Sequence, residues 1–341
     1  MDQHSLSAAR LEELTYHRPN IEDQTLDDND LAEGCPLDNG RHLITPKFSL
    51  GALDSLPLEL LSAILVQTDL RSLTDFRRVN QRAVEVVDSI PEYKAIVANA
   101  PDSLRGILTI ETGRWITCHD LYEKLCTAEC EQCGDFGGFL YIATCRRVCF
   151  ICLSEKPNYL PLLRSEAVRK FGLDRSLLAS SPYLKSIPGC YSPGWKSVRT
   201  RLTLVDPDSA RRAGIALHGS VSAMEQYVSA MASKKLEEYR KRVASKAASA
   251  PDSTSRRPRS EDSFDGQMSN PRRFMAVVRT PWLDLRTKSL EWGFHCVGCE
   301  RQYRCRPMHW RRKFTRGTLL DHIRECGDII DRAHHLAPAQ R

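Results

Sequence analysis

Eight residues in the middle and near the end of this 341-residue chain carry the spacing of metal ligands. Cys130-x-x-Cys133 and Cys149-x-x-Cys152 stand fifteen residues apart. Two residues between cysteines let one tight knuckle turn both thiolates toward a single ion at ~2.3 Å. Fifteen more are enough for a hairpin that returns the second knuckle to the first. Four thiolates close a tetrahedron and leave no position for water, so the implied chemistry is a structural Zn2+ site. Cys126 and Cys145 repeat the pattern, and each half reads C-x3-C-x2-C. Six thiolates can hold a two-metal cluster; the preferred reading is one zinc with Cys126 and Cys145 as small buried neighbours. Cys118, Cys190 and Cys35 are read as structural in the same way. The eight interleaved ligands of a RING-type ligase are not supplied by this stretch.

The second set lies near the C-terminus. Cys296-x-x-Cys299 is followed by twenty-two residues and then by His322-x-x-x-Cys326. The segment from Thr318 to Cys326 reads as a helix, where positions i and i+4 share a face, so these four residues predict a three-Cys, one-His zinc finger. Cys305 and His309 lie in the intervening loop as substitute ligands. The same loop interleaves Arg301, Arg304, Arg306, Arg311, Arg312, Lys313 and Arg316 with Tyr303, Trp310 and Phe314. Such a mixture can contact nucleic acid, with phosphates on the cations and bases on the rings. The weightier reading is a basic loop whose aromatics supply the small core of the finger.

The elements that must position these residues follow from composition. Hydrophobic content is 41% and charged content 27%, the balance of compact pieces joined by polar linkers. Positions 1–40 hold ten acidic residues against Arg10 and Arg18, whereas 234–279 is basic, and the net charge is +6. Thirteen cysteines with no apolar leader after Met1-Asp2-Gln3-His4 argue for a reducing compartment, cytoplasm or nucleus, where paired cysteines hold metal. No run approaches the ~18 apolar residues of a membrane span. No nucleophile constellation, Gly-rich phosphate loop or catalytic carboxylate pair stands out, and a metal-dependent hydrolase would need an open coordination position.

The resulting expectation is a mainly α, multi-part chain with small zinc-stabilised modules and short β-hairpins. Its parts are a disordered acidic arm (1–50), a three-helix segment (51–98), a cysteine-rich zinc-binding domain (99–205), a charged helix (206–247), a disordered basic linker (248–273), a C-terminal zinc finger (274–331) and a tail (332–341). Strands are expected at 136–142 and 148–153, and helices at 161–172 and 174–180.

The three-helix segment is the most telling of these parts. Pro57 suits a helix first turn and Glu59 its positive end. Leu60, Leu61, Ile64 and Leu65 follow at i, i+1, i+4 and i+5, then Leu70, Leu73, Phe76 and Val79 three apart. The run Leu53-x-x-Leu56-Pro57-x-Glu59-Leu60-Leu61-x-x-Ile64-Leu65 resembles the F-box. The block Cys130-Glu131-Gln132-Cys133-Gly134-Asp135-Phe136-Gly137-Gly138-Phe139-Leu140, with Cys145 to Cys152, is similar to the cysteine-rich zinc-binding region of fungal F-box proteins. Leu160-Pro161-Leu162, Phe171-Gly172-Leu173, Ile187-Pro188-Gly189 and Ala213 to Gly219 extend that likeness over about residues 51–220.

The resemblance implies a non-catalytic substrate-recognition subunit of a Skp–cullin–F-box ubiquitin ligase. Its F-box would bind a Skp-family adaptor and, through it, the cullin ligase, and the rest of the chain would select a protein substrate. Carried over, Leu53, Leu56, Pro57, Leu60, Leu61, Ile64, Leu65, Leu73, Phe76 and Val79 would form the adaptor-facing surface. Two departures are Asn80, where a small Ser or Cys is usual, and the absence of a Trp in 82–86. The alternative function is a zinc-finger nucleic-acid-binding regulator using the C-terminal finger and the basic stretch.

Overall fold

Three short helices over some forty residues cannot bury enough surface to stand alone, so the 51–98 segment needs something behind it. A computed structural model describes residues 8–16, 23–37, 48–174, 176–179, 182–249, 270–300 and 308–335. In it Leu58–Val66, Leu70–Arg77 and Gln81–Ser89 form the three expected helices, followed by Pro91–Asn99, Pro101–Thr109 and Cys118–Leu125. Asp69 and Asn80 cap the second and third, their side chains accepting from the backbone N–H groups of Ser72 and Ala83 at 2.9 Å. A cap explains Asn80, because Asn is among the best acceptors for the orphan N–H groups of a first turn.

The protein is mainly helical with small, separate sheets, as composition and spacing imply. The expected division into independent parts is not what the core shows. One continuous apolar cluster takes in Leu61, Leu65 and Leu73 of the three-helix segment, Ile96, Leu104 and Leu121 of the following helices, and Leu140, Val148 and Leu153 of the first cysteine region. Phe274 and Val278, assigned by sequence to the C-terminal finger, belong to it too. The reason is a sheet. Phe139–Tyr141 pairs antiparallel with Arg146–Val148 on one side and with Val277–Arg279 on the other, Leu140 opposite both Arg147 and Val278.

The acidic arm is a second correction. Within 1–50, Ala8–Leu14 is helical, Thr15–Tyr16 is a strand, Leu26–Asp28 is a 3-10 turn and Leu31–Gly34 a single helical turn. Leu11, Leu14, Leu26 and Leu31 are buried, which offsets the ordering entropy that a purely polar arm could not. Its carboxylates are counter-ions: Asp27 and Asp28 meet Arg279, and Asp23 meets Arg311. The charge asymmetry between the two ends of the chain is therefore complementary across the fold.

Smaller differences follow from single residues. The strand expected at 148–153 ends at Val148, because the Cys149 side chain caps the Phe150–Glu155 helix. The helix expected at 174–180 is reduced to a 3-10 turn over Leu177–Ala179. The charged helix is two, Pro207–His218 and Val221–Ser249, separated at Gly219 with φ +83°. Only a residue without a Cβ takes that conformation at little cost. The linker at 250–269, Cys305 and the tail beyond His335 lie outside the described residues. Among the described residues no helix is long and apolar enough to cross a membrane.

Candidate metal centres and an exposed helix face

The first knuckle is a turn closed by the Gly134 N–H donating to the Cys130 carbonyl at 2.9 Å, with Gly134 at φ +80°. The hairpin Phe139–Tyr141/Arg146–Val148 then returns the chain, and Cys149 opens a helix whose Cys152 N–H points at its Sγ, 3.4 Å away. The ligand atoms of Cys130, Cys133, Cys149 and Cys152 all lie within 4.8 Å of one another. Cys133 Sγ and Cys149 Sγ are 3.6 Å apart. A zinc tetrahedron with ~2.3 Å bonds has sulfur–sulfur edges of about 3.8 Å, so the donor set fits the ion.

Electrostatics agrees. The Cys149 thiol donating to Cys130 holds the Cys130 thiolate down to about 5, while that same bond and burial push Cys149 up. Without a cation the cluster cannot carry four charges at once. Cys126 and Cys145 stand outside this set. Burial pushes both thiols up, and Cys145 is buried while Cys126 is half-buried.

Between the knuckles lies Arg147, fully buried and held entirely by carbonyl oxygens. It donates to Gly137 (2.6 Å), Lys124 (2.8 Å), Pro281 (2.9 Å) and Thr280 (3.0 Å). Burial depresses its pKa to about 9. This one guanidinium ties the hairpin to the end of the Cys118–Leu125 helix and to the chain beyond Val277–Arg279.

The second centre corrects the sequence reading. The four ligand atoms that converge belong to Cys296, Cys299, His322 and His334. Cys326 is not among them. Cys299 Sγ lies 3.2 Å from His322 Nε2 and 3.5 Å from His334 Nε2, and Cys296 Sγ lies 3.3 Å from His334 Nε2. These match the edges of about 3.5 Å expected between sulfur and nitrogen in a zinc tetrahedron. Cys326 instead contacts the other ring nitrogen, His322 Nδ1, at 3.4 Å. The i,i+4 spacing did place Cys326 beside His322, but on the far side of the imidazole, where it orients the ring. His334 arrives on a hairpin, Asp328–Ile330 with Ala333–His335, and its Nδ1 meets the Gly327 carbonyl at 2.9 Å. Its only sequence signal was the adjacent pair His334-His335 soon after a helix end. His309 Nε2 comes within 3.4 Å of Cys299 Sγ without joining the four.

The acidic arm helps to build this centre. Thr15 pairs with Cys296 and Tyr16 with His295, and Leu11 packs with Cys296, Cys299, Phe314 and Leu319. The basic loop is also internal: Arg311 meets Asp23 and lies 3.3 Å over the Phe150 ring, Arg312 forks onto Asp135 at 2.6 and 3.0 Å, and Phe314 is buried. Arg301, Arg304, Arg306 and Tyr303 lie outside the described residues.

The residues carried over from the F-box divide in two. Leu61 is 3% exposed, and Leu65 and Leu73 are likewise buried in the chain's own core, so they do not form an outward surface. Phe76 is half-buried against that core. Leu53, Leu56 and Pro57 are exposed, as are Leu60 and Ile64, both 56%, and Val79, 68%. The helix Leu58–Val66 is apolar on both sides, one side filled from within and the other bare. No family model matches the chain, and neither the curated proteins nor the solved structures contain a match.

Proposed function

We propose that this protein is an F-box-type substrate receptor of a Skp–cullin–F-box ubiquitin ligase. In this reading it recruits a target without catalysing transfer itself, in the cytoplasm or nucleus. The observation that carries it is the set of exposed apolar residues Leu53, Leu56, Leu60, Ile64 and Val79, with Leu60 and Ile64 on the Leu58–Val66 helix whose Leu61 and Leu65 are buried. Large apolar side chains left bare on a helix whose other side is filled from within favour a surface meant for a partner. The resemblance to the F-box names that partner as a Skp-family adaptor. The two clusters act as structural zinc centres: four protein ligands each leave no open position for substrate, and the ion holds the modules that carry target contacts.

The test is co-purification with a purified Skp-family adaptor, comparing wild type with Leu60→Asp/Ile64→Asp. Both positions are exposed, so the variant keeps its fold and zinc content. A stoichiometric complex abolished only in the variant is the expected result. Absence of a complex with zinc-loaded wild type overturns the reading. The nucleic-acid alternative is less favoured, because Arg311 and Arg312 are committed to carboxylates and Phe314 to the core.

A further inference from the structure

A cavity of about 680 Å³ opens where the two cysteine regions meet. Phe136, Phe139 and Phe150 from the first region and Trp292 and Phe294 from the second line it. The volume falls in the ~300–1,000 Å³ range of sites that enclose a small ligand or one or two side chains.

Its charges are unevenly satisfied. Arg279 is matched by Asp27 and Asp28, and Arg311 by Asp23. Three charged lining groups then remain: Lys313, Arg316 and Glu291. Lys313 Nζ donates to the Trp292 carbonyl at 2.9 Å and meets no carboxylate among the described residues. Enclosure by the protein and the nearby Arg311 and Arg279 lower its pKa to about 8 against the opposing pull of Asp23, whose own ion pair is with Arg311. Glu291 Oε1 lies 3.8 Å from Arg316 Nε, while its Oε2 is buried with no hydrogen-bond partner. Glu291 is thus held beside Arg316 on one oxygen and sealed on the other, which leaves Lys313 as the cavity's available ionic group.

We propose that this cavity binds the C-terminal residue of a peptide, taking a free α-carboxylate at Lys313 and an apolar or aromatic side chain among Phe136, Phe150 and Trp292. A cationic ligand is opposed by the residual positive charge. A nucleic-acid backbone is opposed by the enclosure and by the pairing of Arg279 and Arg311. The site is distinct from the exposed leucine face, and its test does not depend on adaptor binding.

The experiment is calorimetric titration of the zinc-loaded full chain with acetylated glycyl-glycyl-phenylalanine as the free acid and as the C-terminal amide. An acetylated glycyl-aspartyl-phenylalanine amide separates a terminal carboxylate from an acidic side chain. Binding of the free acid alone is expected, with about a tenfold or greater loss of affinity in Lys313→Met and retention in Lys313→Arg. Affinity should fall between pH 7 and 9 as Lys313 loses its proton, and Lys313→Arg should abolish that fall; the other groups facing the cavity are Asp23 and Glu291, whose carboxyls burial pushes up, His295, which burial holds down to about 4, and the guanidiniums of Arg279, Arg311 and Arg316. Trp292→Ala, at the exposed rim, should weaken binding without affecting the core. Equal binding of acid and amide, binding of the internal acid only, or no binding of the free acid overturns the proposal.

Discussion

The two candidate metal centres use the same C-x-x-C knuckle and are assembled in opposite ways. The first draws all four ligands from twenty-three consecutive positions, 130–152, and sits in the main core with Cys130, Cys149 and Cys152 buried there. The second draws ligands from 296 to 334, rests on a small satellite cluster, and borrows Leu11 and a strand from the other end of the chain. A local site is closed by one hairpin; a dispersed one depends on pieces that must first be brought together. The entropy of closing a long loop grows only slowly with length, so the difference lies less in closure than in what surrounds each ion.

Metal removal separates them most sharply. Structural zinc sites contribute ~10–16 kcal/mol of apparent binding free energy at neutral pH. Cys149→Ser should therefore unfold the main core cooperatively, seen as loss of most helical circular dichroism. Cys299→Ser should melt only the region from His295 onward and the Ala8–Tyr16 segment packed on it, leaving the majority of that signal. Equal loss from both would erase the distinction. Next in size is Arg147→Ala, which strips four carbonyls of their donor and should cost about 3–5 kcal/mol by denaturant titration, with both zincs retained in the folded state.

Ligand identity in the second centre is a finer test. His334→Ala should reduce zinc from two per chain to one. Cys326→Ser should leave two, with affinity at the second centre weakened about 10–100-fold as expected for a group that orients a ligand. The reverse pattern would restore Cys326 as the ligand. Smallest is Leu11→Ala, at a site that should destabilise the second centre alone by about 2–3 kcal/mol, read as earlier zinc release on chelator titration.

Legibility in the sequence followed locality. Cys130, Cys133, Cys149 and Cys152 could be read outright, because C-x-x-C fixes the geometry of a knuckle and fifteen residues fix a hairpin. Cys296, Cys299 and His322 were legible for the same reason. His334 was not: it is set by pairing of Ile329 with His334, and the adjacent His335 is the one local mark beside it. The leucines of 51–66 announced an apolar helix, but spacing alone could not say that Leu61 and Leu65 turn inward while Leu60 and Ile64 turn out. That division depends on where the Cys118–Leu125 helix and the rest of the core lie.

By itself, then, the sequence determined the helical character of 51–98, both knuckles with their metal-ligand spacing, and the opposing charges of its two ends. Those are short-range facts of side-chain type and spacing. Only the tertiary structure decided that the acidic arm is a built-in counter-ion, that Val277–Arg279 joins the first hairpin, and that His334 displaces Cys326. Each of these joins residues distant in sequence, and such contacts are chosen by the burial and pairing of the whole chain rather than by any local pattern.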